Sequence, residues 1–335
     1  MRNSSFLLQI LPVMALIGLA AAARGEFIFD AEVPLDPKVE VAIDRAQEWL
    51  AKGQQPNGSW GTCNGRNGLA LMALMVNGST PGHGKYGDKV AKGIEFLIGS
   101  QHENGYLVVG ESGSMYQHAL ATLALAEAYG MTQNPAIRES LTKAIHLILK
   151  AQSPSGGWRY TPVPGDQDLS VTVMQIMALR AAADTGLYVP TEAVDFGVRY
   201  VRACWSAPSM TYGYGGPSGD GGVRMTAAGT VCLQSCGLED DPNVPKAVQY
   251  LMAANRYGQQ VYKNSDNWEC WYGHYYASVA LYHYGGDAWK SYYPKLCESV
   301  LRDWAKAGHY GDVLTTSWAI LSIGTPYRYL PIYQR

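Results

Sequence analysis

The chain has 335 residues and a formal net charge of −2, with 16% charged residues and no basic run. Because nucleic-acid binding needs clustered lysine and arginine, this composition argues against a nucleic-acid partner. The unusual feature is a supply of 37 Gly, 23 Tyr and 9 Trp. These residues favour repeated tight turns and an aromatic-lined cavity.

Residues 1–23 have the layout of a secretory signal peptide, with Arg2 before an apolar run that ends in three alanines. Gln9 and Pro12 interrupt that run, which leaves it shorter than the ~20 residues of a membrane span. We therefore expect cleavage and an extracytoplasmic mature protein, and a retained membrane anchor is the alternative. Residues 24–37 are then a leader segment, and peripheral association with the cell envelope stays open.

One sequence pattern recurs at intervals of roughly 50 residues, in the range that indicates a repeat architecture. Each copy has an amphipathic helix, then a Gln, then a glycine turn with an aromatic residue. Three copies are in register: Gln54 with Gly58 and Trp60, Gln101 with Gly105 and Tyr106, and Gln152 with Gly157 and Trp158. We expect the Gln and the aromatic residue to be structural, because the glycine permits a positive φ or a close approach to a neighbour.

A second helix, rich in Ala, Leu and Met and nearly free of charge, follows each turn. These helices are predicted at Gly68–Val76, Tyr116–Tyr129, Leu169–Ala183, Met225–Leu233, Tyr272–Tyr284 and Thr315–Ile323. A helix that is apolar on all faces must be buried, whereas the first helices keep a charged stripe for solvent. Six alternations predict an all-α fold, an α/α toroid of two concentric rings over residues 38–325. The proline-spaced tail, residues 326–335, is predicted to be a strap across the ring.

This pattern resembles the QW repeat of squalene cyclases and protein prenyltransferase β subunits, over roughly residues 38–327. The resemblance implies the α/α toroid of the terpenoid cyclase superfamily. The inner helices of such a ring all run in the same direction, so their N-termini collect at one mouth, where we expect the site. Helix N-termini favour polar or anionic ligands there. The candidate ligand-binding residues at this mouth are Tyr116, Arg224, Trp271, Tyr272, His274, Tyr275, Asp312 and Trp318.

Two carboxylates open the third inner helix. The segment with Asp166 and Asp168 is similar to the Asp-x-Asp-Asp motif with which squalene-hopene cyclases donate a proton, although Leu169 replaces the last Asp. The resemblance implies acid chemistry, and the alternative is that Asp168 caps its helix. His118, at a neighbouring helix start, is a candidate acid or base together with Asp168, and its alternative is a buried structural histidine.

The stretch from Trp271 to Tyr275 resembles the prenyltransferase segment whose histidine binds zinc. The family's Asp-x-Cys pair has no counterpart, because two glycines follow Asp220. We therefore predict no metal and no cofactor, and place His274 in an aromatic wall. The six cysteines leave disulfide pairing open.

Two functions follow from these features. One is an exported, monomeric protein that binds a bulky small molecule, lipid, isoprenoid or glycan in the toroid mouth. The other is an acid/base enzyme of the terpene cyclase or polysaccharide lyase type that uses Asp168 and His118. The sequence leaves open whether the protein is catalytic.

Overall fold

The computed structural model describes residues 36–110, 114–218, 221–256, 268–304, 308–309, 311–327 and 330. The predicted signal peptide and most of the leader lie outside the described residues, as does most of the predicted strap. Among the described residues, no helix combines the length and apolar character needed to cross a bilayer.

Twelve helices in the described part of the chain form six consecutive hairpins. The first helix of each hairpin belongs to an outer set: α1 (Pro37–Gly53), α3 (Gly87–Gly99), α5 (Pro135–Lys150), α7 (Thr191–Ala203), α9 (Asn243–Arg256) and α11 (Gly286–Trp304). The second belongs to an inner set: α2 (Asn64–Met75), α4 (Met115–Thr132), α6 (Leu169–Asp184), α8 (Gly222–Ser235), α10 (Trp268–Tyr284) and α12 (Val313–Gly324). The prediction of six inner helices is confirmed, with starts one to four residues earlier than expected for all but α6.

The inner helices form a closed ring. Each packs against the next, and α12 packs against α2 to complete the circle. The outer helix α1 contacts both α11 and α12, so the outer layer also meets at the seam. The predicted all-α toroid is confirmed.

Burial separates the two layers as their sequences require. On α1 the buried positions include Val39, Ile43, Ala46 and Leu50, which follow the helical period and leave the opposite face to charged residues. On α4 nearly every residue from Met115 to Tyr129 is buried. A fully buried leucine-sized side chain contributes about 1.5–3 kcal/mol, so the inner ring is the main source of stability.

The three glutamine turns make the same hydrogen bonds. The amide of Gln54 donates to the carbonyl of Gly58 at 2.9 Å and to that of Lys89, in the next outer helix, at 2.8 Å. Gln101 and Gln152 repeat both bonds in their own turns, with Ser140 and Ala193 as the respective acceptors in the next outer helices. Each glutamine therefore joins one hairpin to the following one, and the expected structural role is confirmed.

A glycine with positive φ stands at the centre of each turn, and the third of them is Gly156, one residue before the expected Gly157. The φ angles are 91° at Gly58, 90° at Gly105 and 96° at Gly156. A Cβ atom at Gly156 would lie 2.3 Å from the carbonyl oxygen of Phe196. Only glycine satisfies both conditions.

The residue two positions after this glycine occupies an equivalent place in each of the three turns. Trp60 and Trp158 occupy it and donate their indole N–H to the carbonyls of Leu50 and Ile148, both at 2.7 Å. In the second turn Leu107 takes the place, so the expected Tyr106 was one residue early. In the fourth hairpin a short antiparallel pair replaces the turn, β1 (Trp205–Ser206) and β2 (Thr211–Tyr212), which the sequence analysis did not predict.

Candidate functional site

A cavity of about 240 Å³ opens where the inner helices begin. It is lined by Cys63, Gly65, Arg66, Ser114, Tyr116, Gln117, Leu120, Met174, Tyr272, Leu314 and Trp318. Most of this wall is apolar, and its polar groups are confined to a few side chains. The volume lies below the ~300–1,000 Å³ of typical small-molecule sites, so a bulky ligand would enter only in part.

Tyr272 and Trp318 line this cavity and belong to an aromatic cluster that continues beyond its lining. The Trp318 ring lies 4.7 Å from that of Tyr275 and 6.1 Å from that of Tyr272, measured between centroids. Tyr276 closes the cluster at 4.6 Å from Tyr272 and 5.0 Å from Tyr275. These tilted and edge-to-face contacts hold the rings against α12. The structure thus brings together three of the predicted ligand-binding residues, Tyr272, Tyr275 and Trp318.

A chain of hydroxyl groups leads from the cavity wall to a buried carboxylate. The phenol of Tyr116 donates a hydrogen bond to Ser170 Oγ. Ser170 Oγ in turn donates to Asp168 Oδ1 at 2.6 Å. Because an ionised carboxylate only accepts, Ser170 must donate to it, and its oxygen is left to accept from Tyr116. Burial raises the pKa of Tyr116, so its phenol stays protonated at neutral pH.

Asp168 also caps helix α6. Its Oδ1 accepts the backbone N–H of Val171 at 2.9 Å, a bond that stabilises a helix by about 1 kcal/mol. The side chain is fully buried, and among the described residues its Oδ2 has no hydrogen-bond partner. A cap needs only one oxygen, so capping leaves the second carboxylate oxygen unexplained.

The other predicted charged residues lie at the rim. Asp166 is 70% exposed and forms an ion pair with Arg159 at 3.0 Å. Asp312 is exposed and caps α12 through the N–H of Thr315 at 2.9 Å. Arg224 is exposed in the first turn of α8 and lies close enough to Tyr116 to lower its pKa slightly against the effect of burial.

His118 is held by backbone groups. Its Nδ1 accepts the N–H of Leu107 at 3.1 Å, and its Nε2 lies 3.2 Å from the carbonyl oxygen of Ala144 in α5. This arrangement uses the neutral imidazole, and burial lowers the pKa of His118 to about 4. Its bonds are separate from those of Asp168, whose partners are Ser170 and Val171. Catalytic roles for Asp166, Asp168 and His118 stay predictions.

The role of His118 recurs in three other hairpins. The backbone N–H of Trp60 donates to the Asn67 side chain at 2.7 Å in the first hairpin, and that of Trp158 donates to Thr172 at 3.0 Å in the third. In the fourth hairpin the N–H of Tyr212 donates to Thr226 at 3.3 Å. Each acceptor lies in the first turn of an inner helix. His118 is therefore one variant of a position that anchors the preceding turn.

The remaining aromatic candidates, Trp271 and His274, are not among the residues that line the cavity. His274 is buried, with its Nδ1 3.5 Å from the Tyr292 hydroxyl of outer helix α11, and its ring is 5.3 Å from that of Trp271. Within the described residues, no group of three His, Cys, Asp or Glu side chains is arranged to hold a metal ion. The side chain of Cys270 lies outside the described residues. Five cysteine side chains lie in the described part of the chain, and none of them is in a disulfide with another: Cys63, Cys204, Cys232, Cys236 and Cys297.

Sequence analysis missed the apolar lining of the cavity. Leu120, Met174 and Leu314 resemble any other buried residue of the inner helices. The signal that identifies two of them is spacing, because Leu120 and Met174 each follow a mouth residue, Tyr116 and Ser170, by four positions. Side chains at i and i+4 share one face of a helix, so these two lie one turn deeper.

Comparison with known proteins supports this architecture. No family model matches the chain. A lanosterol synthase of Aspergillus fumigatus is 32% identical over 145 residues, which cover 38% of this chain and 18% of the synthase. The chain therefore matches less than a fifth of that enzyme's length.

Solved structures match over nearly the whole toroid. An α-1,6-mannanase of Salegentibacter, solved as an inactive variant with α-1,6-mannotriose, superposes with a TM-score of 0.66 at 9% identity, covering 87% of this chain and 99% of the mannanase. A type II terpene cyclase of Scytonema with geranylgeranyl dihydroxybenzoate superposes with a TM-score of 0.60 at 13% identity, covering 88% and 99%. The chain has the α/α toroid fold of these two enzymes. At these identities the superpositions establish the fold alone.

Proposed function

We propose that the protein binds an apolar molecule with one polar end group, of the isoprenoid or lipid class, in the mouth of the toroid. The observation that carries this proposal is the division of the cavity wall. Leu120, Met174, Leu314 and Trp318 form an apolar interior, and Tyr116 stands with the polar residues. A glycan would need polar partners along its whole length, which this interior does not offer.

The polar end group would lie beside Tyr116 and Arg66. Arg66 lines the cavity, and its Nε is buried without a hydrogen-bond partner among the described residues. The guanidinium of Arg66 carries further N–H donors, and a hydroxyl or carboxylate oxygen of a ligand would accept from them. Tyr116 has an oxygen lone pair left to accept a ligand hydroxyl, because its proton goes to Ser170. The ligand would enter with its apolar end first.

The terpene cyclase of Scytonema supports this ligand class, since it holds a geranylgeranyl compound in the same fold. The mannanase holds a mannotriose, which makes the oligosaccharide the appropriate rival ligand. We also propose that binding takes place outside the cytoplasm, as the signal-peptide pattern of residues 1–23 predicts.

Calorimetric titration with farnesol and with mannotriose tests this proposal. We expect farnesol to bind and mannotriose not to bind. Leu314→Asp should weaken farnesol binding at least tenfold, because it places a charge in the apolar wall. Val163→Asp is the matched control, since Val163 is 60% exposed and outside the cavity lining. Binding of mannotriose with no binding of farnesol would overturn the proposal.

A second candidate function is acid/base catalysis on the bound molecule. The supporting observation is the chain of hydroxyl groups, in which Tyr116 donates to Ser170 and Ser170 donates to Asp168. A ligand proton would pass to Tyr116 as the Tyr116 proton passes to Ser170 and the Ser170 proton to Asp168. The ligand is then deprotonated and Asp168 is neutral, so Asp168 acts as the base.

The substitution Asp168→Asn separates this catalysis from capping. Asparagine caps helices about as well as aspartate, so the melting temperature should change little. Product formation from a panel of oligoprenyl alcohols and glycans, followed by mass spectrometry, should fall at least a hundredfold, the usual contribution of a general base. Undiminished turnover in the variant would assign Asp168 to capping alone.

A further inference from the structure

We infer that Met174 sets how deeply a ligand enters the toroid, and so selects ligands by the length of their apolar part. This inference rests on the proposed function, because it concerns the ligand of the same cavity. It depends on what lies beneath the mouth, along the axis of the inner ring.

A second, much smaller void lies below the mouth cavity. Its volume is about 10 Å³, and its walls are Met72, Ala119, Leu120, Leu123, Met174, Met177, Tyr275, Tyr276 and Trp318. A void of this size holds at most one water molecule. The ring axis is therefore filled by side chains below the mouth, and an apolar chain that enters from the mouth stops at this level.

Three residues line both spaces and form the partition between them: Leu120, Met174 and Trp318. Each is at most 8% exposed, so each is packed from both sides. A ligand can reach the lower void only if one of these three side chains moves.

Leu120 and Trp318 are fixed by their neighbours. The Trp318 ring lies among three tyrosines with centroid distances of 4.7 to 6.4 Å. Leu120 lies against the backbone of α2, where a Cβ on Gly65 would meet its Cδ1 at 3.4 Å and a Cβ on Gly68 would meet its carbonyl oxygen at 2.6 Å. The tyrosines hold the Trp318 ring in place, and the close approach of α2 fixes the backbone of Leu120.

Met174 is the adjustable member of the partition. A methionine side chain is unbranched, with three rotatable bonds and a polarisable sulfur, and it adapts to irregular spaces. Met72 and Met177 line the lower void as well, so the space into which Met174 would turn is itself bordered by adaptable side chains. Met174 thus determines where the mouth cavity ends.

The test is a titration of the full-length protein with straight-chain primary alcohols from hexanol to tetradecanol. Each buried methylene contributes about 0.8 kcal/mol, which corresponds to roughly a fourfold lower Kd for each carbon added. In the wild-type protein this gain should stop at one chain length. In Met174→Ala it should continue for at least two further carbons, because the mouth cavity and the lower void become one space.

Two variants serve as controls. Met75→Ala removes the same kind of side chain from a fully buried inner-ring position that lines neither space. In this variant the gain in affinity should end at the same chain length as in the wild type. Met174→Leu keeps the volume of the side chain and should also stop there. If Met174→Ala does not fold, Leu120→Ala removes the partition from the opposite side and should extend the series in the same way.

The possible outcomes distinguish a failure of this inference from a failure of the proposed function. An extended series in Met174→Ala with an unchanged series in Met75→Ala supports the inference. Binding of the alcohols with the same final length in all variants overturns it and leaves the proposed function in place. If the wild-type protein binds none of the alcohols, both are overturned.

Discussion

The glutamine turns and the mouth cavity lie at the same end of the toroid, yet they are built in opposite ways. The turns at Gln54, Gln101 and Gln152 repeat the same two hydrogen bonds around equivalent glycines. The residues two positions after the helix caps are all different. Gly65 leaves space in α2, Tyr116 supplies a phenol in α4, and Leu314 supplies an apolar wall in α12.

This difference separates positions that hold the ring together from positions that give it a ligand. A turn that joins two hairpins must satisfy the same backbone groups in every repeat, so its residues are restricted. The cavity is lined by residues from five of the six hairpins, and a lining of identical side chains would have no distinct polar region. The residues that face the axis therefore differ from one repeat to the next, whereas the three turns keep the same glutamine and glycine.

The largest effect is expected from breaking a turn. Gly156→Ala places a Cβ atom 2.3 Å from the Phe196 carbonyl oxygen at a φ of 96°, and we expect a loss of about 4 kcal/mol or more in the free energy of unfolding. Gly186→Ala is the matched control, with a φ of 87° and no atom within 4 Å of the added Cβ. It should lose only about 1–2 kcal/mol. Urea unfolding measures both, and equal losses would show that close packing of the turn contributes nothing.

A smaller effect is expected from the pH dependence of stability at His118. Burial lowers the pKa of His118 from about 6.5 in the unfolded chain to about 4 in the fold, so the unfolded state binds more protons between these values. The contribution is complete above about pH 6.5 and falls by about 3 kcal/mol as the pH drops to about 4.

The variant His118→Asn gives the second hairpin the acceptor type that Asn67 provides in the first. Its free energy of unfolding should therefore decrease less than that of the wild type between pH 7 and pH 4.5. His83→Asn, at an exposed histidine, should keep the wild-type dependence. The assignment of His118 as a neutral anchor fails if His118→Asn and the wild type show the same loss.

The smallest effect is expected at the cavity wall. Tyr116→Phe removes the hydroxyl that faces the ligand, and the affinity for farnesol should fall about fivefold, the contribution of one hydrogen bond of about 1 kcal/mol. Tyr160→Phe is the control, because the Tyr160 ring stacks on Tyr116 while its own hydroxyl bonds to Tyr214 at 2.5 Å. Calorimetry that finds equal farnesol affinity in both variants would remove Tyr116 from the binding site.

The sequence predicted the positions of the turn glycines more closely than the start of helix α2. The turn glycines were found to within one residue, because a positive φ and a close backbone approach leave few alternatives to glycine. Helix α2 was predicted four residues late, since Asn64 and Asn67 are typical of loops. In the structure both are buried, and Asn67 accepts the N–H of Trp60. The hydrogen-bond partner of a polar residue in the first turn of a buried helix cannot be identified from the sequence, because only the fold brings the two groups together.

By itself, the sequence determined the two rings, because the alternation of charged-faced and fully apolar helices with glycine turns has one economical burial pattern. Only the tertiary structure decided which mouth residues meet. Tyr116, Ser170 and Asp168 come from two neighbouring helices, and His118, two residues after Tyr116, bonds to the outer layer instead. Spacing along a helix fixes the direction of a side chain relative to its own helix. Its partner depends on the rotation of that helix within the ring, which packing against neighbouring helices determines.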